Sequence, residues 1–308
     1  MPIEKNLSDL PKVAYKDPDP VEGRMPDMHP KIGPKLMDAW YEHRTHDDNL
    51  PTAIPAAGPF RASWAGSCSR QIAYHLTGQE PTNPKTIADF WRLDTGSMVH
   101  ERVQDAIPRA YPNAENERNV DLRSIGIRGS AHLDMLLPYK DGSGFAAVEI
   151  KSINGFGFKM SATSQSGPPE GPRTSAYIQG ALAATALRAE GVNVKMLVVM
   201  YLSLELVSPK LAQKIGRGDE LAKFEAEWSY EPEEFEPVAH AEAARWAEID
   251  RILSEDNADM AKADPVLVPR EVPFIGLVVN PETATVQRDG KAFKTYVCDY
   301  CDYQALCT

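Results

Sequence analysis

GSAHLDMLL (residues 129–137) and FAAVEIKSI (residues 145–153) are the two stretches whose reading decides the fold. Both have strand length and strand composition, and the intervening YKDGSG, Tyr139 to Gly144, has the composition of a hairpin turn. They predict strands over Arg128–Leu137 and Phe145–Ile153. Upstream, Arg118–Arg123 predicts a further strand, Thr86–Ile107 a long helix with Gly96 as its weak point, and Ser67–Leu76 a helix with Ser67 or Ser69 near its N-cap. Residues 34–46 predict a short helix that begins at a proline. Downstream, residues 154–173 read as a glycine-containing loop. Thr174–Ala189 reads as a helix with small residues that suit close packing on a sheet. Val194–Leu204 is an apolar, branched run and reads as a buried strand. Residues 219–230 and 237–262 read as acidic amphipathic helices. The order α–β–β–β–α–β specifies the α/β class, a mixed sheet flanked by helices.

The hairpin carries charge where a sheet interior should be apolar. Strand alternation places Glu149 and Lys151 on one face, with Val148 and Ile150 turned the other way, and the hairpin brings Asp134 across from the pair. Three converging charges cost several kcal/mol to bury unless something neutralises them. A hard divalent cation, magnesium or manganese, does so through carboxylate oxygens. It would also polarise a phosphoryl oxygen and acidify a bound water, and Lys151 would then orient that water or help to deprotonate it. Read alone, the same three residues fit a structural ion pair, Asp134–Lys151 or Glu149–Lys151, better than a metal site.

The neighbouring motifs extend the pattern. GSMVHERVQ puts His100 on the helix before the sheet, and SAYIQGALAA puts Tyr177 and Gln179 on the helix after it. In this order the chain resembles the RecB-like branch of the PD-(D/E)XK nuclease superfamily. The resemblance implies a restriction-endonuclease-like core. It also implies catalytic roles for Asp134, Glu149, Lys151 and Gln179, and a metal held by His100, Asp134, Glu149 and the carbonyl of Ile150. The family's Q-x-x-x-Y is matched at Gln179 but has Ala183 where tyrosine is expected, with Tyr177 a candidate stand-in.

The chain has four cysteines: Cys68, and Cys298, Cys301 and Cys307 in a C-x2-C-x5-C tail. Four thiolates suit either a structural zinc or an iron–sulfur cluster. One cysteine before the nuclease motifs and three after them is similar to the AddB nuclease domain and to the CRISPR-associated exonuclease family numbered four. That resemblance implies a 4Fe-4S cluster that staples the C-terminus to the helix after Cys68. It covers residues 68–201 and the last eleven, which frames residues 1–60 as an extended arm and 61–308 as the nuclease domain, with an acidic helical insertion at about 205–265.

The formal net charge of −11 argues against a nucleic-acid binder until its distribution is read. Residues 219–264 hold 15 Asp and Glu against 4 Lys and Arg, so the remaining residues sum to zero. Arg70, Tyr177, Lys159 and Arg173 are candidate DNA contacts. No apolar run is long enough for a membrane span and no P-loop is present, so the expectation is a motorless cytoplasmic protein acting on DNA ends or single strands. A recombination or CRISPR-adaptation protein is a candidate partner, and the enzyme is open to forming oligomers. The expected activity is metal-dependent DNA exonuclease in recombination, repair, phage DNA processing or CRISPR adaptation. The rival readings are a nuclease-derived binding module and a zinc-stapled structural protein.

Overall fold

The computed structural model describes residues 40, 42, 58–83, 85–154, 158, 161, 171–204, 210, 214, 225–272, 277–278, 285–288, 291–294 and 301–307. The chain divides into two units, Met1–Asp48 and Asn49–Thr308. In the first, Trp40 and Glu42 are helical, and the remainder of the helix expected at 34–46 lies outside the described residues. Everything below concerns the second.

Its sheet contains β1 (Phe60–Arg61), β2 (Glu115–Asp121), β3 (Gly129–Pro138), β4 (Phe145–Ile153), β5 (Val194–Ser203) and β6 (Glu225–Tyr230). Strand β3 pairs antiparallel with β2, parallel with β1 at its first two residues, and antiparallel with β4 from Met135 to Pro138. Strand β5 runs parallel to β4 and antiparallel to β6. Four helices are defined among the described residues: α1 (Ser69–Leu76), α2 (Ile87–Ala110), α3 (Thr174–Ala189) and α4 (Pro232–Asp256). The fold is therefore α/β, a mixed sheet flanked by helices.

Each face of the sheet is closed by a different helix. On one, Met135, Val148 and Ile150 pack beneath Val103 and Ile107 of α2. On the other, α3 lies in the main core, with Ile178 and every residue from Gly180 to Leu187 buried. The run of small residues sets this depth. A Cβ on Gly180 would stand 2.8 Å from Leu197 Cδ1 and 3.3 Å from the Cβ of Glu149. Helix α4 then covers α3 with Phe235, Ala239, Ala243, Trp246, Ile249 and Leu253. The acidic residues of this helix are exposed or half-buried, with Glu242 the buried exception.

Two local expectations are corrected. Residues 225–230 form a strand and not part of a helix, because EAEWSY alternates polar and half-buried positions along β5. Helix α2 runs unbroken through Gly96, whose missing side chain instead admits β4, since a Cβ there would lie 3.1 Å from Ser152 Oγ.

Candidate metal centre

Three acidic residues lie in one row across three neighbouring strands. The β2–β3 register pairs Asn116 with Met135 and Arg118 with Leu133, which puts Glu117 opposite Asp134. The β3–β4 register ends at Met135 and Val148, and one further step puts Glu149 opposite Asp134 on the other side. Like charges directly opposed in a sheet destabilise it. Here the ladder gives way at Asp134, whose Oδ2 accepts a 2.6 Å hydrogen bond from the backbone N–H of Ile150.

His100, one helix away, completes a cluster. Its Nδ1 lies 3.4 Å from Asp134 Oδ1, and one ligand atom each from His100, Glu117 and Asp134 fall within 4.8 Å of one another. This group could hold a metal ion. The Asp134 carboxylate raises the His100 pKa, more than burial lowers it. Glu117 was not legible among the sequence candidates. It is the residue of β2 with a left-handed backbone, φ 51°, a conformation that L side chains adopt at a cost.

Glu149 is 0% exposed, and neither of its carboxylate oxygens has a hydrogen-bond donor. Burial pushes its pKa up to about 7, against the pull of Lys151, with Asp134 adding to the rise. Lys151 Nζ stands 2.5 Å from Glu149 Oε1, as an ion-pair contact without hydrogen-bond alignment. Burial works against the Lys151 charge, but the Glu149 carboxylate outweighs it and raises the pKa, so the ammonium stays protonated. Lys151 Nζ donates to Gln179 Oε1 at 3.1 Å, and Gln179 is brought there by the close seat of α3 at Gly180. The hairpin and helix residues expected from the sequence thus meet in space. Ile150 is buried on the α2 side, with its N–H committed to Asp134.

A cavity of about 600 Å³ opens beside this cluster. Its lining includes His100, Lys151 and Ser152, Leu93, Gly96 and Ser97 of α2, and the charged Lys85, Asp89, Arg92 and Asp302. The candidate DNA contacts lie differently. Arg70 donates through Nε and Nη2 to the carbonyls of Val268 and Val266, both at 2.8 Å. Tyr177 packs its ring at a tilt against Tyr230 and donates to the Glu234 carbonyl. Arg173 is exposed at the N-cap of α3, its backbone N–H donating to Tyr201 Oη. Lys159 lies outside the described residues. Ala183 is buried in the core, so its position offers no substrate contact.

Cys301, Tyr303 and Cys307 pack around Tyr74 of α1, and Cys68 is the N-cap of the same helix. Burial raises the Cys68 pKa, and the Cys307 thiol adds to the rise. Cys298 lies outside the described residues. The buried pair Glu242–Arg245 of α4 anchors the segment before α1: Gly66 N–H donates to Glu242 Oε1 at 3.1 Å, and Arg245 Nη1 to Ser69 Oγ at 2.8 Å.

No protein-family model matches the chain, and no curated protein is detectably similar to it in sequence. No helix among the described residues is long and apolar enough to cross a membrane.

Proposed function

We propose that this chain is a metal-dependent DNA exonuclease with a RecB-like PD-(D/E)XK core and a structural 4Fe-4S cluster. The observation that carries the reading is Glu149, a fully buried carboxylate in ion-pair contact with Lys151 and facing Asp134 across the sheet. One ammonium leaves two carboxylates under-neutralised, which is expensive in a buried site unless an acid stays protonated or a further cation is present. The donor set of carboxylates and one imidazole suits magnesium or manganese.

Asp134, Glu149, His100 and Glu117 would hold the ion, with the Ile150 carbonyl a further candidate. When bound, such an ion supplies Lewis acidity at a phosphoryl oxygen and lowers the pKa of water. Lys151 Nζ, held protonated and fixed by Gln179, donates to a phosphate oxygen as negative charge develops there. The cavity of about 600 Å³ leads to the same lysine and has the size of a pocket for a small ligand, which suits the end of one strand. Lys85 and Arg92 also line it, each paired with a carboxylate of the same lining, Asp302 and Asp89.

Cys68 at the N-cap of α1, with Cys301 and Cys307 packed around Tyr74 of the same helix, supports a shared four-thiolate site. Four thiolates suit an iron–sulfur cluster, and iron and sulfide analysis separates it from zinc.

The test is degradation of an end-labelled single-stranded oligonucleotide with manganese or magnesium, by wild type and Lys151→Ala. Wild type should release nucleotides from the end and stop on chelation, and Lys151→Ala should be slower by about 10²-fold or more. Equal behaviour of the two proteins would reject the reading.

A further inference from the structure

Glu117 presents a physical puzzle. It faces Asp134 across the β2–β3 ladder as a like charge, adopts φ 51°, and is solvent-exposed. An exposed glutamate normally relaxes away from such an arrangement. Strained backbone persists only where the surroundings over-determine it.

One side chain that holds Glu117 in place is Gln104. Gln104 sits on α2 one turn after His100 and is 9% exposed. Its Nε2 donates to Glu117 Oε1 at 2.5 Å and reaches the Asp134 carbonyl at 3.4 Å. The two hydrogens of one amide nitrogen thus serve the two facing acidic residues. Asn116, next to Glu117, returns a hydrogen bond from Nδ2 to the Gln104 carbonyl at 3.2 Å. Helix α2 therefore presents His100 toward Asp134 and, one turn on, an amide that turns Glu117 the same way.

We infer that Gln104 is a positioning residue that commits Glu117 to the metal centre. This rests on the metal-site reading above. A neutral amide is the fitting side chain for the role. It donates to Glu117 without adding a cation that would compete with the ion, and it takes no place among the ligands. Partners that orient metal ligands typically change affinity by about 10- to 100-fold when removed. Gln104 acts through Glu117, so its effect must vanish when Glu117 can no longer ligate.

The experiment is manganese binding to the full-length protein, followed by electron paramagnetic resonance of the free ion. The proteins are wild type, Gln104→Met, Gln104→Asn, Glu117→Gln and the Gln104→Met/Glu117→Gln double variant, with Asp134→Asn as the control for the site. Gln104→Met keeps the volume and helix preference and removes the donor, and Gln104→Asn keeps the amide but withdraws it by one methylene. Far-UV circular dichroism and metal-free melting establish that each is folded, and the Asn variant serves if the Met variant is not. Each Gln104 substitution should weaken manganese binding roughly 10- to 100-fold. The double variant should bind no more weakly than Glu117→Gln alone. Wild-type affinity in a folded Gln104 variant, or additive losses in the double variant, would overturn the inference. Binding unaffected by Asp134→Asn would reject the metal site itself, and the inference with it.

Discussion

Asp134 Oδ2 accepts the backbone N–H of Ile150 at 2.6 Å, a residue beyond the point where the β3–β4 ladder ends. The carboxylate thus substitutes for a carbonyl of the sheet and leaves Oδ1 turned toward His100. Structure and ligation are separable at this residue. Asp134→Asn retains an oxygen for Ile150 N–H and should keep stability within about 1 kcal/mol while losing metal binding. Asp134→Ala orphans a buried N–H and should cost about 1–3 kcal/mol as well. Urea denaturation of both variants, beside calorimetric manganese titration, distinguishes the two losses.

Glu149 sets a pH dependence. Its pKa rises from 4.5 to about 7 on folding, so its stabilising contribution is complete below about pH 4.5 and is lost as pH climbs toward 7. The metal-free protein should lose up to about 3 kcal/mol across that window. His100, whose pKa is also raised, adds a loss of the same sign as pH passes its folded value. Manganese must displace the Glu149 proton, so its stabilising effect should grow over the same range. Melting curves with and without manganese from pH 5 to 8 should diverge for wild type and run more nearly parallel for Glu149→Gln. Parallel wild-type curves would contradict the assignment.

Gly180 sets the close approach of α3 to β4 and β5. Gly180→Ala forces a Cβ to 2.8 Å from Leu197 Cδ1 and 3.3 Å from Glu149 Cβ. It should destabilise the fold by about 1–3 kcal/mol despite the better helix propensity of alanine. Because Gln179 rides on the same turn, nuclease rate should fall more than the melting temperature suggests. A stabilised, fully active variant would show that α3 yields easily.

The Glu242–Arg245 pair links α4 to the turn that carries Cys68. Arg245→Met leaves Glu242 buried without its partner and should cost about 3–5 kcal/mol in urea denaturation. Protein purified anaerobically should contain about four irons and four sulfides per chain in wild type, with the Arg245→Met cluster bleaching faster in air. A colourless wild type with one zinc would remove the cluster from the account.

Much of this was legible in the sequence because period and composition agreed. The strand at Phe145–Ile153 and the helix at Thr174–Ala189 have the boundaries expected from their patterns. The E-x-K of β4 gave Glu149 and Lys151, and strand alternation gave their shared face. Glu117 stayed hidden because ENERNVD is polar throughout and no letter announces a left-handed backbone. Its detection requires the β2–β3 register. Residues 225–230 were masked by the charge density of their surroundings, which concealed a period of two. Arg70 and Tyr177 resembled DNA contacts because their partners, the carbonyls of Val266, Val268 and Glu234, are remote in sequence.

The central claim, a divalent ion held at the carboxylate row, is tested most directly by manganese anomalous diffraction from crystals of the whole protein. The account predicts a peak at coordination distance from Asp134, Glu149 and His100, with Glu117 turned toward it. The absence of such a peak at saturating manganese, or its appearance only on surface carboxylates, would contradict it.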